Sequence, residues 1–325
     1  MTIKKPKILV TRRWPEACEI RLGAAFDVTL NSDNHPMTPG ELQAALRDYD
    51  AVLPTVTDRI DAEVLNVEPL RCQILGNFGV GFNHIDLETA KARGIAVTNT
   101  PDALTDCTAD IAMLLMLMAA RRGGEGERLL RSGAWTGWHP THLLGTKVTG
   151  KTLGLIGFGR IAQAMATKAH FGFGMKIIFY TPRPVDPAVI AHFDARQLDS
   201  IESVLQESDF VSLHCPGSAA NRHLINAERL TLMKPDAILI NTARGDVVDS
   251  QALIAALRNR TVAAAGLDVY EGEPHLDPGF LELDNAVLLP HLGSASSETR
   301  VAMGMKVIDN VEAFFRGETP PNRIA

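Results

Sequence analysis

Cysteine is scarce in this chain: Cys18, Cys72, Cys107 and Cys215 are the only four in 325 residues. No two of them have the C-x-x-C spacing of a metal or redox pair. That argues against a disulfide-stapled scaffold and fits a reducing compartment. A nucleophilic Cys18 or Cys72 stays open beside the plainer reading of buried, inert thiols. Aromatic residues are few, at 6%. A basic excess is missing as well: the formal charge is -6 and the pI about 5.9. The chain therefore lacks the electrostatic footprint of a nucleic-acid binder, although one small anion could still sit in a local pocket. Long apolar runs are also absent. The most apolar stretch, residues 111–120 with Met113, Met116 and Met118, is ten residues long, against roughly 20 for a spanning helix. It predicts a buried or interface helix. The opening Met1-Thr2-Ile3-Lys4-Lys5-Pro6 has no apolar signal-peptide core. The expectation is a cytoplasmic protein with no membrane partner, no nucleic acid and no metal.

What is present is ordinary globular material, 46% hydrophobic and 22% charged, and too long for one usual core, so two domains are expected. In the first hundred residues, strand-like runs at 8–11, 26–30, 51–53, 74–76 and 95–98 alternate with helix-like runs. Such alternation predicts a compact parallel sheet. Thr38-Pro39-Gly40-Glu41 reads as a capping box with proline at the first helical position. Gly94 stands where a helix C-terminus would want it. A long helix over 102–122 and a shorter one over 125–131 follow, then a loop, Trp135-Thr136-Gly137-Trp138-His139-Pro140. At Gly150 the alternation restarts, with strands at 152–156, 176–180, 210–214, 237–241, 264–269 and 286–289. Helices fit 161–171, 200–207, 227–233 and 251–259, and a final amphipathic helix 296–315. Six strands in this order suit a doubly wound nucleotide-binding unit.

The chemistry-bearing residues cluster at strand ends, where ligands bind in open parallel α/β sheets. Gly157-Phe158-Gly159-Arg160-Ile161-Ala162 matches G-x-G-x-x-[GA] after a strand and before a helix, the context a dinucleotide site requires. The glycines permit a tight turn and close approach to a pyrophosphate, and the helix start offers free N–H groups to the anion. The next strand ends Tyr180-Thr181-Pro182-Arg183, with no carboxylate for the adenosine ribose. A planar, bidentate guanidinium suits a 2′-phosphate, so NADP(H) is favoured and NAD(H) remains possible. Three later strand ends carry Arg244, Glu273 and His291. An arginine can hold a carboxylate bidentately, and a carboxylate beside an imidazole favours the imidazolium and fixes its orientation. Each has a bland alternative: a structural ion pair, a solvated acid, a packed histidine. Gly76-Asn77-Phe78-Gly79-Val80-Gly81-Phe82 could turn its backbone N–H groups onto an anion as a nest, or be a plain strand–helix turn.

Together these residues resemble the D-isomer-specific 2-hydroxyacid dehydrogenases. The likeness rests on Gly79-Val80-Gly81 with Ile85-Asp86, on 157–162, 241–245 and 268–274, and on Pro290–Gly293, and covers essentially the whole chain. It implies two doubly wound parallel α/β domains, a flavodoxin-like substrate domain and a Rossmann cofactor domain, with an active-site cleft between them. The substrate domain would be 1–100 plus 291–325, and the cofactor domain 101–290. By that likeness Arg244 anchors the substrate, Glu273 supports the imidazole and His291 is the acid/base. Leu53, Val80, Gly81 and Trp138 would join Arg244 around the substrate. Thr108, Gly157, Phe158, Gly159, Arg160, Ile161, Thr181, Arg183, Cys215, Pro216, Thr242, Ala243, Asp268 and Gly293 would contact the cofactor. The tryptophan loop and Tyr180-Thr181-x-Arg183 resemble the glyoxylate/hydroxypyruvate reductases of the family. That likeness implies a homodimer with Trp138 walling the partner's pocket, though a merely buried Trp138 is the alternative. The activity implied is reduction of a small 2-oxoacid to a 2-hydroxyacid. Other family activities, or a dinucleotide-sensing binding protein, are the competing expectations. Ala162 replaces a third glycine, and Asn221 stands where many relatives carry threonine.

Overall fold

The computed structural model describes residues 5–325, so the N-terminal reading of residues 1–4 lies outside the described residues. The chain divides into two compact units, residues 1–104 with 295–325, and residues 105–294. Residues 101–104 thus go with the first unit, and His291 with the second.

The first unit runs β1 (Lys7–Val10), α1 (Glu16–Ala25), β2 (Asp27–Leu30), α2 (Pro39–Asp48), β3 (Ala51–Leu53), α3 (Ala62–Leu65), β4 (Ile74–Gly76), α4 (Leu87–Ala92) and β5 (Ala96–Thr98). A C-terminal helix, Ser297–Phe315, completes it. The strands form one parallel sheet in the order β2-β1-β3-β4-β5, the flavodoxin-like doubly wound order. Strands β3, β4 and β5 are buried along their length, as expected where helices cover both faces of a parallel sheet. Helix α2 starts where its capping box predicts, with Thr38 and Glu41 bonding reciprocally. The outer edge of β5 is covered by the chain's end: Val97 donates to Ala325 O and accepts from Ile324 N, which removes an open strand edge.

The second unit runs α5 (Thr105–Ala120), α6 (Gly123–Arg131), β6 (Thr152–Ile156), α7 (Arg160–Phe173), β7 (Lys176–Tyr180), α8 (Pro187–His192), β8 (Arg196–Gln197), α9 (Ile201–Glu207), β9 (Phe210–Leu213), α10 (Ala227–Thr231), β10 (Ile238–Asn241), α11 (Ser250–Arg258), β11 (Ala264–Leu267) and β12 (Ala286–Leu288). Its seven parallel strands lie in the order β12-β11-β10-β9-β6-β7-β8. Read from the other edge, this is the Rossmann order with its reversal at β6/β9. The edge strand β8 goes beyond the six expected strands; it is two exposed polar residues long and carries no apolar signal. Helix α5 is the apolar stretch around residues 111–120. Ala112, Leu115, Met116 and Ala119 are buried in a core shared with α7 and the sheet.

All four cysteines are free thiols. Burial pushes Cys72 up to about 12 and Cys215 up to about 11, and raises Cys18 as well. A thiolate nucleophile at Cys18 or Cys72 is therefore not what these surroundings favour. Among the described residues, no helix is long and apolar enough to cross a membrane, and no cluster of His, Cys, Asp and Glu could hold a metal ion.

Candidate active site

In the second unit the neighbouring strands β10, β11 and β12 deliver Arg244, Glu273 and His291 from the loops at their carboxyl ends. His291 Nδ1 lies 2.7 Å from Glu273 Oε2. The other Glu273 oxygen accepts from Tyr270 N at 2.8 Å. Burial alone would raise the Glu273 carboxyl, but the His291 bond and charge, Tyr270 N and Arg244 together hold it below its ordinary range. An acid depressed on folding stabilises the fold above its unfolded value, and that contribution is lost as pH falls through the folded value. The wild type should therefore lose thermal stability faster than Glu273→Gln as pH drops below the ordinary 4.5. Parallel acid limbs in the two melting curves would refute this.

The His291 turn is held by groups that a sequence motif does not reveal. His291 has a left-handed backbone, φ 56, and its N–H donates to Asp268 O at 3.0 Å. Asp268, almost fully buried, accepts from Leu292 N at 2.6 Å and from Gly293 N at 2.7 Å. Burial nonetheless raises its carboxyl above the usual range, against those two bonds. Thr108 Oγ1 donates to Gly293 O at 2.9 Å. Tyr270 hydroxyl reaches Leu289 O at 2.9 Å and Leu267 O at 3.1 Å, tying the ends of β11 and β12 together. Asp268, Thr108 and Gly293, expected as cofactor contacts, thus all have a place in building this turn.

Arg244 is presented by an asparagine turn. The fully buried Asn241 accepts from Ala243 N at 3.0 Å and donates to Arg244 O at 2.9 Å. Arg244 Nη1 donates to Ala243 O at 2.7 Å. Burial lowers the guanidinium from its ordinary value, while Glu273 and Asp246 favour its charge. A largely desolvated cation of this kind gains from an anionic ligand.

Around β6 the backbone matches what a dinucleotide needs. Gly157 has φ 88, and a Cβ there would lie 2.9 Å from His214 C and 3.0 Å from Cys215 N, so only glycine fits this turn. Helix α7 opens on Gly159 with no side-chain cap and no acid in its first turn, which leaves its amide end to an anion. A Cβ on Gly159 would meet open space. Thr242 Oγ1 is buried with no hydrogen-bond partner among the described residues. These residues fit a bound dinucleotide. The Phe158 ring is buried and stacked on Phe179 at 3.9 Å, which leaves its backbone as the part that faces the turn. Arg183 is exposed and has no acidic partner among the described residues. Asn221 Nδ2 donates to Pro216 O at 2.9 Å, closing the loop after Cys215.

In the first unit, the carbonyls of the 76–82 loop are held by neighbouring donors. Asn77 Nδ2 takes the carbonyls of Gly79 and Gly81 at 3.1 and 2.9 Å, Asn99 Nδ2 takes that of Val80 at 2.9 Å, and Thr100 N bonds Gly79 O. With those carbonyls engaged, the Val80 and Gly81 N–H groups donate to nothing among the described residues. Sequence reasoning missed Asn77 and Asn99. Phe78 packs on Trp14 at 4.6 Å, while Phe82 is exposed. The Leu53 side chain is fully buried in the core and its carbonyl accepts from Thr11. Trp138 is 80% exposed in the chain, which sets aside the expectation of a merely buried ring.

The profile of the D-isomer specific 2-hydroxyacid dehydrogenase NAD binding domain matches residues 113–293. A glyoxylate reductase of Thermococcus litoralis is 46% identical over 98% of this chain and 97% of its own length. A solved structure from Polaromonas sp. JS6 66 superposes with TM-score 0.92 at 39% identity, covering 99% of this chain and 100% of that one. The NADPH-dependent glyoxylate/hydroxypyruvate reductase of Sinorhizobium meliloti, in complex with NADP and malonate, superposes with TM-score 0.88 at 34% identity, covering 99% and 97%. The fold and site thus define an NAD(P)-binding oxidoreductase. The chain belongs to the D-isomer-specific 2-hydroxyacid dehydrogenase family.

Proposed function

We propose that this protein is a 2-oxoacid reductase that converts glyoxylate or hydroxypyruvate to glycolate or D-glycerate with NADPH. The observation that carries this reading is the His291–Glu273 pair at 2.7 Å, one strand over from a desolvated arginine in a dinucleotide-binding sheet. A bound reduced dinucleotide supplies the hydride that arrives at C2 of the oxoacid. Arg244 holds the substrate carboxylate bidentately and polarises the adjacent carbonyl. His291 gives the carbonyl oxygen a proton from Nε2, while Glu273 on Nδ1 keeps the ring oriented. In the first unit, the free amides of Val80 and Gly81 support their proposed role as substrate contacts.

Gly157, Gly159, Arg160, Ile161 and the Phe158 backbone would hold the pyrophosphate. Thr181 and Arg183 would hold the adenosine end, and Cys215, Pro216, Thr242 and Ala243 the remainder, beside the turn built by Thr108, Asp268 and Gly293. The first unit corresponds to the proposed substrate domain and the second to the proposed cofactor domain, which also carries Arg244, Glu273 and His291. A homodimer is supported by an exposed apolar group on α6 and the loop after it: Leu130, Trp135, Trp138 and Leu144. Trp138 would then wall the partner's substrate pocket. A monomer by sedimentation would overturn that part. A cytoplasmic site fits the free thiols.

Initial rates with NADPH and NADH, each against glyoxylate, hydroxypyruvate and pyruvate, test the whole. The expected result is NADPH turnover on the first two. Preference for NADH would keep the reaction and overturn the role of Arg183. No turnover with any pair would favour a dinucleotide-sensing binding protein. Arg183→Ala should raise KM for NADPH far more than for NADH, because one cofactor carries the phosphate and the other does not. Equal effects would refute the contact.

A further inference from the structure

The loop after β9 ends in a cluster that the proposed chemistry leaves unused. His223 Nε2 sits 3.1 Å from both Glu271 oxygens. Arg222 Nη2 reaches the same carboxylate at 2.7 Å. A carboxylate only accepts, so Nε2 carries the proton in this pair. Behind the rings, the backbone of this segment is sewn to the stretch that follows Arg244. His223 N donates to Asp246 O at 2.7 Å, Ile225 N to Val247 O at 3.0 Å, and Asp249 N to Ile225 O at 2.9 Å. His223 takes a left-handed backbone, φ 51, to do this, a strained choice for a non-glycine residue. The other two loops also press on each other directly: a Cβ on Gly245 would collide with the backbone of Tyr270 and Glu271.

One short segment therefore grips the loop that carries Arg244 through its backbone and the loop that carries Glu273 through its side chains. Glu271 lies two residues before Glu273, whose own carboxylate is tied back to Tyr270 N. We infer that residues 222–225 are a brace that keeps Arg244 and Glu273 in mutual register, and that His223 and Glu271 are positioning residues for the reaction. Asp249 completes the surroundings of His223, 3.9 Å from Nδ1, too far for a hydrogen bond, and its other oxygen caps α11.

The inference rests on the reading of Arg244, Glu273 and His291 as the reacting set, so the wild-type rate is measured beside the variants. Steady-state oxoacid reduction, dinucleotide affinity from reduced-cofactor fluorescence, and melting temperature are compared for the wild type, His223→Ala, His223→Gln and Glu271→Gln. His223→Ala should lose on the order of tenfold in kcat, because small displacements of positioned groups cost rate steeply, with dinucleotide affinity unchanged. His223→Gln should recover most of that loss, since its amide N–H can still donate to Glu271. Glu271→Gln should resemble His223→Ala, and the double variant His223→Ala/Glu271→Gln should be no worse than either. Wild-type kcat in His223→Ala, a loss confined to dinucleotide affinity or melting, or no recovery in His223→Gln would overturn the brace. Should His223→Ala not fold, Glu271→Gln carries the same decision. A wild type without oxoacid turnover would overturn the parent reading, and the brace with it.

Discussion

Replacing His291 with glutamine should lower kcat for 2-oxoacid reduction by about 10²–10⁴-fold, the usual worth of a general acid, while dinucleotide affinity stays in place. With Nδ1 committed to Glu273 at 2.7 Å, the ring presents Nε2 as the nitrogen that can exchange a proton with substrate. Glutamine has a similar reach and can hydrogen-bond, but it has no transferable proton near neutrality. The backbone at φ 56 is strained for either residue, a cost of order 1–3 kcal/mol. That cost is offset by hydrogen bonds from the N–H groups of His291, Leu292 and Gly293 to Asp268. The turn should therefore survive the exchange, so a rate loss reports the proton and not a collapsed loop. Steady-state kinetics with a parallel dinucleotide titration decide it. A near-wild-type kcat would remove His291 from the chemistry.

Much of this was legible in the residues, for identifiable reasons. Strands such as Ile238–Asn241 and Leu153–Ile156 are buried on both faces, so they read as apolar runs between turn signals. The Thr38–Glu41 capping box and the glycine turn at 157–159 are local, and local chemistry announces itself. Strand β8 and helix α8 escaped because they sit at an edge with little to bury; α8 has no buried residue. The site was legible as a set of residue types at strand ends, but not as a mechanism of support. Thr108 meets Gly293 across 185 residues and His223 meets Glu271 across 48. Neither pairing has a sequence pattern. The burial of Leu53 in the core was not legible, because a strand-end position tells which end of the sheet a residue occupies, not which way its side chain faces. Asn77 and Asn99 were missed because they act on carbonyls, and such a loop is recognised in sequence only by its glycines.

Arg244→Ala should reduce kcat/KM for the oxoacid by about 10²–10⁴-fold, from two charge-assisted hydrogen bonds worth roughly 1.5–3 kcal/mol each. The guanidinium is already largely desolvated, and its ordinary value is lowered for that reason. The cost of burying the cation is thus met in the free enzyme, and a substrate carboxylate gains the full benefit of a preorganised fork. The folded state should tolerate the loss. The side chain donates to the neighbouring carbonyl of Ala243, while the turn itself is set by Asn241, which bonds backbone atoms of Ala243 and Arg244. Arg244→Lys keeps the charge but not the planar fork, so it should fall between alanine and wild type. Adding guanidinium ion to Arg244→Ala should restore part of the rate, whereas the same ion should do nothing for His291→Gln. That contrast separates a missing anion clamp from a disordered site. Full activity in Arg244→Lys would show that position and charge suffice, and that the two-pronged geometry is not what selects the carboxylate. Activity of Arg244→Ala within a few-fold of wild type would remove Arg244 from substrate anchoring.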